Sequence, residues 1–199
     1  MTGGAVAGPD GRPRCPWALS AADYLAYHDS EWGRGIHDDQ AMFERLTLEA
    51  FQSGLSWLTI LRKRENFRAA FAGFDIARVA EFGSCDRARL LADPGIVRNR
   101  AKVDAAIANA RAALALDGGL AALVWRFAPA ASTAPVVTDD VPAQTGESRA
   151  LAAELKREGF VFVGPVTTYA LMQAAGLVND HLVDCAVRTE SARPGCLTL

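Results

Sequence analysis

Residues 87–112 read RARLLADPGIVRNRAKVDAAIANARA, and the fold turns on how they are divided. Asp93-Pro94-Gly95 is turn chemistry, because proline presets one backbone angle and glycine tolerates the next. RARLLA before it suits a short helix. The alanine-rich run after it, through DAAIANARAALAL, suits a longer one. Asn99 stands where an N-cap belongs, and Asp117-Gly118-Gly119 is a stop. The segment is therefore helix, tight turn, helix. Arg98, Arg100 and Lys102 flank the start of the second helix. A helix N-terminus with free N–H groups and basic side chains suits a phosphate. Such contacts fix register on a duplex without reading its sequence. On these residues alone an ordinary helical turn with solvated arginines is the simpler reading.

The same grammar continues in both directions. Ser20 with Asp23 suggests a capped start to SAADYLAYHD, Asp38 a cap for DQAMFERLTLEAFQSG, and Ser56 a cap for SWLTILRKRENFRAAFAG. Asp75 and Asp86 are placed to cap IARVAEF and RARLLA. GLAALVWRF is another short apolar segment, and ESRALAAELKREGF a further helix. The stretch from Ala128 to Gly146 is rich in Pro, Ala and Thr and reads as an exposed loop. FVFVG is the one extended piece. Pro165 opens VTTYALMQAAG, and NDHLVDC follows as an apparent helical turn. The fold class expected is all-α, with many short helices.

Composition sets outer bounds. The 199 residues suit one large domain or two small lobes, and half are hydrophobic, enough for a sizeable core. No run of 18 or more apolar residues predicts a membrane span. MTGGAVAGPDGRPR lacks the pattern of a secretory signal and reads as a flexible leader over 1–14, with an irregular tail over 188–199. The net charge of −2, from 21 basic and 23 acidic residues, does not advertise nucleic-acid binding. Local patches decide that, not the total.

Two clusters carry possible chemistry. In a helical turn His181 and Cys185 share one face. Cys15 and His28, at the opposite end of the chain, complete a Cys₂His₂ set suited to tetrahedral Zn²⁺. Four protein ligands leave no open position, so such a metal is structural and clips the two ends together. Two buried thiols and two surface histidines in separate ordinary roles are the alternative. Cys85 and Cys196 have no partner pattern and read as a packed thiol and a tail thiol. His37 reads as a loop residue. The second cluster is aromatic and acidic. Trp17, Trp32 and Trp57 fall in the first third of the chain, with Tyr24 and Tyr27 among them. Glu49 lies near Met42 and Leu46 on the apolar side of its helix, whereas Glu44 and Arg45 point elsewhere. A carboxylate there costs free energy unless paired. It reads either as a salt-bridged or rim group, or as a pocket acid awaiting a flat, cationic or amino-bearing ligand. Arg62, Lys63 and Arg64 read as a solvated helix face.

Taken together, RCPW, YLAYHDSEWG, LEAFQSGLSW, LRKRENFRAAF, GIVRNRAKVDAAIANARA, KREGFVFVGPVTTYALMQAAGLVNDH and the trailing cysteine resemble the DNA-3-methyladenine glycosylase I family. The likeness runs from about Cys15 to Cys185. It implies a helix–hairpin–helix DNA glycosylase fold over 15–187, with the hairpin at about 94–102 and the terminal segments packed around a structural zinc. It implies zinc on Cys15, His28, His181 and Cys185, and a base pocket of Trp17, Tyr24, Tyr27, Glu49 and Trp57, with Trp32 as support beneath. Glu49 would be the catalytic group, and Gly54 and Leu55 would fill the gap left by a flipped base. Arg98, Arg100 and Lys102 would then be DNA contacts.

The implied partner is double-stranded DNA containing alkylated adenine, met in the cytoplasm by a monomer. The implied activity is hydrolytic excision of 3-methyladenine without strand cleavage. Two positions depart from the family pattern: Ala50 where glycine is common, and a hairpin less rich in glycine than in the wider superfamily. Asp117 is the nearest counterpart, by order, of the aspartate that related glycosylases use as a base. A non-enzymatic lesion binder, a zinc hydrolase of small molecules and a purely structural zinc-stapled domain are the rival readings.

Overall fold

The computed structural model describes residues 3–191. Cys196 and the tail from 192 onward lie outside them. The helices are α1 (Ala22–Ser30), α2 (Asp39–Gln52), α3 (Trp57–Ala70), α4 (Ile76–Ala80), α5 (Ser84–Ala92), α6 (Arg100–Leu114), α7 (Leu120–Trp125), α8 (Gly146–Arg157), α9 (Pro165–Ala174) and α10 (Arg188–Ser191). Asp38, Ser56, Asp75 and Asn99 cap α2, α3, α4 and α6. Each accepts from the backbone N–H three residues on. The loop over 128–146 contains only a short 3₁₀ turn, Thr138–Asp140.

α2 is the central element. It packs on α3, α6, α7 and α9, and nine of its residues from Met42 to Phe51 are buried. Phe43, Phe51, Phe67, Phe71 and Phe74 are fully buried and meet ring to ring, with centroid separations from 4.8 to 6.2 Å. Such rings bury large apolar areas, and their edge-to-face contacts add to that burial. The turn at Asp93–Gly95 lies against α3. Lys63 Nζ donates to the Pro94 and Gly95 carbonyls at 3.0 and 3.1 Å. The segment after α1 and the end of α9 meet at Gly176. Its φ of +76° suits glycine, and an added Cβ would lie 2.7 Å from the Arg34 backbone.

Several local expectations fail for identifiable reasons. Ser20 does not cap α1; its hydroxyl donates to the Trp17 carbonyl at 2.7 Å, and Ala21 holds the cap position. Asp86 lies inside α5, not before it, and accepts from Gly83 N. FVFVG forms no strand, because Phe162 turns left-handed with φ +62°. NDHLVDC is not helical either; bends and turns carry His181 and Cys185 inward. Within the leader, Val6–Ala7 pairs antiparallel with Pro13–Arg14. Part of the tail, Arg188–Ser191, is helical.

Candidate functional site: a clasp and an aromatic cavity

The clasp is built from both ends of the chain. The ligand atoms of Cys15, His28, His181 and Cys185 all lie within 4.8 Å of one another, and all four residues are buried. His181 Nδ1 is 3.1 Å from His28 Nε2. Cys185 Sγ is 3.6 Å from His28 Nε2 and 3.7 Å from His181 Nδ1, and Cys15 Sγ is 4.0 Å from His181 Nδ1. A tetrahedral ion with metal–nitrogen bonds of about 2.0 Å and metal–sulfur bonds of about 2.3 Å sets its donors ~3.3 to ~3.8 Å apart. The four donors are therefore spaced close to what such an ion needs.

The outer nitrogens are fixed as a metal site requires. His28 Nδ1 is 2.8 Å from Asp29 Oδ1, and His181 Nε2 is 3.3 Å from the Trp32 carbonyl. Each acceptor holds the proton on the outer nitrogen, so a lone pair on the other faces inward. Asp29 is in turn gripped by Arg14, which is 3 % exposed and also bonds Asp10. This outer ring of Arg14, Asp10 and Asp29 is not singled out by the sequence reading. The two thiols influence each other: Cys185, facing Cys15 and the two histidines, is held far down, and Cys15, facing Cys185 and buried, is pushed far up. The expectation of surface histidines is wrong, as His28 and His181 are both 0 % exposed.

Beside the clasp lies a cavity of 320 Å³ lined by Trp17, Tyr24, Tyr27, Trp32, Glu49 and Trp57, together with Gln52, Gln173, Asp180 and others. Cys15 and Leu182 also line it, so the clasp forms part of its wall. The ring framework is tight. Trp17 meets Tyr24, His28 and Trp32 edge-on at 5.5, 5.2 and 5.1 Å, and Tyr27 meets Trp57 at 5.4 Å. Tyr24 is anchored by its hydroxyl, which accepts from Leu58 N at 2.8 Å.

Glu49 is 6 % exposed, and among the described residues its carboxylate has no hydrogen bond and no ion pair. Burial pushes its pKa up to about 7, against a smaller pull from Arg45. Arg45, read from the sequence as pointing away from the side that carries Glu49, is itself buried at 8 % exposure. Its guanidinium donates to Tyr27 Oη at 2.8 Å, approaches Glu31 at 3.7 Å, and lies over the Tyr27 and Trp57 rings. The arginine one turn away thus serves the rings and Glu31 and leaves Glu49 unpaired. The indole Nε1 of Trp57 is also buried without a partner among the described residues. The cavity wall therefore offers an unpaired acceptor in Glu49. Asp180 is a second carboxylate on the wall, held by Tyr169 Oη at 2.6 Å and Gln173 Nε2 at 2.8 Å.

Gly54 adopts φ +79°, and Leu55 after it is 42 % exposed. Arg98 and Arg100 are exposed before and at the start of α6. Lys102 is a correction, because it is not a surface cation. It is 6 % exposed and donates to the Phe51 and Ser53 carbonyls at the end of α2. Arg62 and Arg64 are likewise not simply solvated, pairing with Asp23 and Glu31. Asp117 does not line the cavity.

The model of the methyladenine glycosylase family matches residues 17–189. DNA-3-methyladenine glycosylase of Haemophilus influenzae is 42 % identical over 184 residues, covering 88 % of this chain and 98 % of that one. A crystal structure of 3-methyladenine DNA glycosylase I superimposes with TM-score 0.83 at 46 % identity, covering 87 % of this chain and 98 % of the other. A single-residue variant of 3-methyladenine DNA glycosylase I, solved in complex with 3-methyladenine, also gives 0.83, at 34 % identity and 87 % and 96 % coverage. Fold and site thus define a helical protein of the DNA glycosylase class. Within that class the chain belongs to the methyladenine glycosylase family.

Proposed function

We infer that this protein is a DNA repair N-glycosylase that extrudes 3-methyladenine from alkylated duplex DNA and hydrolyses its glycosidic bond, leaving an abasic site. The observation that carries the reading is the unpaired, buried Glu49 in a cavity walled by Trp17, Tyr27 and Trp57. A base inside the stack cannot be reached, so the nucleotide must turn out, which costs a few kcal/mol and less for a damaged base. N3-alkylation makes the adenine nucleoside cationic. Its base leaves neutral and needs little protonation. The rings hold such a planar cation by stacking and cation–π attraction. Glu49 accepts from its amino edge and turns away bases that lack that donor. Orientation, and a negative charge near the oxocarbenium-like sugar, then lower the barrier to attack by water. Among the described residues no lysine lines the cavity to form a Schiff base with the sugar, so no strand cleavage is expected.

In this reading Gly54 and Leu55 enter the vacated stack, and Arg98 and Arg100, within the hairpin at 94–102, bind phosphates. Lys102 holds the Leu55 turn in place. Cys15, His28, His181 and Cys185 hold one structural Zn²⁺, which supplies no chemistry to the reaction. It joins residues 15–187 into a single domain that acts as a monomer inside the cell, where the DNA is. Incubation with methylated DNA, followed by chromatography of the released bases, tests the whole proposal. Release of 3-methyladenine is expected. Binding to alkylated DNA without any released base would instead make the chain a lesion-binding protein.

A further inference from the structure

Phe162 stands where both backbone preference and burial argue against an aromatic residue. Its φ of +62° lies in the left-handed region, and the residue is 41 % exposed. Buried Asn109 of α6 fixes the preceding residue, accepting from Val161 N at 2.8 Å and donating to Val161 O at 3.1 Å. Phe160 and Val163 are both buried. The chain is thus pinned on either side, and the Phe162 ring is pushed outward. Strain and exposed apolar area both cost stability in the isolated protein.

Its neighbours indicate what the ring is for. Lys102 Nζ lies 6.0 Å from the Phe162 ring centroid. The same ammonium donates to the carbonyls of Phe51 and Ser53, which lead into the Gly54–Leu55 turn. One buried cation therefore ties the support of exposed Leu55 to the face of exposed Phe162. Arg98 and Arg100, both exposed, sit within four residues of that lysine at the start of α6. Two outward apolar side chains with cations beside them match a duplex, whose bases are flat and whose backbone is anionic.

We propose that Phe162 is a second side chain that enters DNA: Leu55 fills the space of the extruded nucleotide, and Phe162 stacks on the base left unpaired in the opposite strand. This rests on the glycosylase reading above. The test uses the full chain with Phe162→Ala and Phe162→Gly. The probe is a duplex carrying a tetrahydrofuran abasic analogue opposite 2-aminopurine, with melting and binding of free 3-methyladenine measured in parallel. Both variants are expected to bind the duplex about tenfold more weakly and to lose the 2-aminopurine response. Their affinity for the free base should be unchanged. Phe162→Gly should melt no lower than the parent, since glycine accepts the positive φ. Parental duplex affinity and fluorescence in both variants would overturn the proposal. So would an affinity loss that merely tracks the unfolded fraction. Absence of 3-methyladenine release by the parent protein is a separate result, and it would remove the glycosylase reading itself.

Discussion

At the scale of single residues, Glu49 sets the behaviour of the cavity. Its pKa is raised from 4.5 to about 7 by burial. A carboxyl raised on folding contributes stability that is complete below the unfolded value and is lost as pH rises through the folded one. The ligand-free protein should therefore gain stability as pH falls from about 7 towards 4.5. Glu49→Gln should flatten that window and melt higher than the parent at pH ~8, by at most a few kcal/mol. Superimposable melting profiles from the two proteins would contradict the burial of an unpaired charge. The same substitution should lower excision of 3-methyladenine about tenfold to a hundredfold, the worth of a hydrogen bond to a charged group. Excision by the parent should decline below pH ~7 as Glu49 takes up a proton. Kinetics of base release against pH check both points.

At the scale of elements, the start of α6 separates two kinds of cation that the sequence presents alike. Arg98 and Arg100 are exposed, whereas Lys102 closes the end of α2. The double change Arg98→Gln, Arg100→Gln should leave melting nearly unchanged. It should weaken duplex binding and reduce the slope of log affinity against log salt by about 2, near 0.9 per phosphate contact. Lys102→Met should do the reverse. It strands two carbonyls, so it should lower stability by about 1–3 kcal/mol while the salt slope holds. Titrations at several salt concentrations, beside thermal melts, distinguish the two. An unaltered slope in the double variant would remove the arginines from the DNA contact. The capping residues of α2, α3, α4 and α6 were legible because a cap is a local contact. The loss of the FVFVG strand was not, because the clamp that bends it is Asn109, 52 residues away.

At the scale of the whole molecule, the clasp joins Cys15 and His28 to His181 and Cys185, and Cys15 and Leu182 stand in the cavity wall. Cys185→Ser should lose zinc and several kcal/mol of folding free energy, roughly as for other structural sites. Base release should fail with the fold, and not before it. Metal analysis showing a full equivalent of zinc in that variant would refute the ligand set. The sequence by itself determined the helical class, most helix starts and the choice of candidate metal and pocket residues. Residue type, helical period and capping are local properties, and the family likeness adds the order of the motifs. Only the tertiary structure decided that Arg45 serves the rings and leaves Glu49 unpaired, and that Lys102 is buried. It also supplied the Arg14–Asp29 ring around His28 and the outward turn of Phe162. Each of these depends on which atoms from distant segments meet, and on which charges are thereby removed from water.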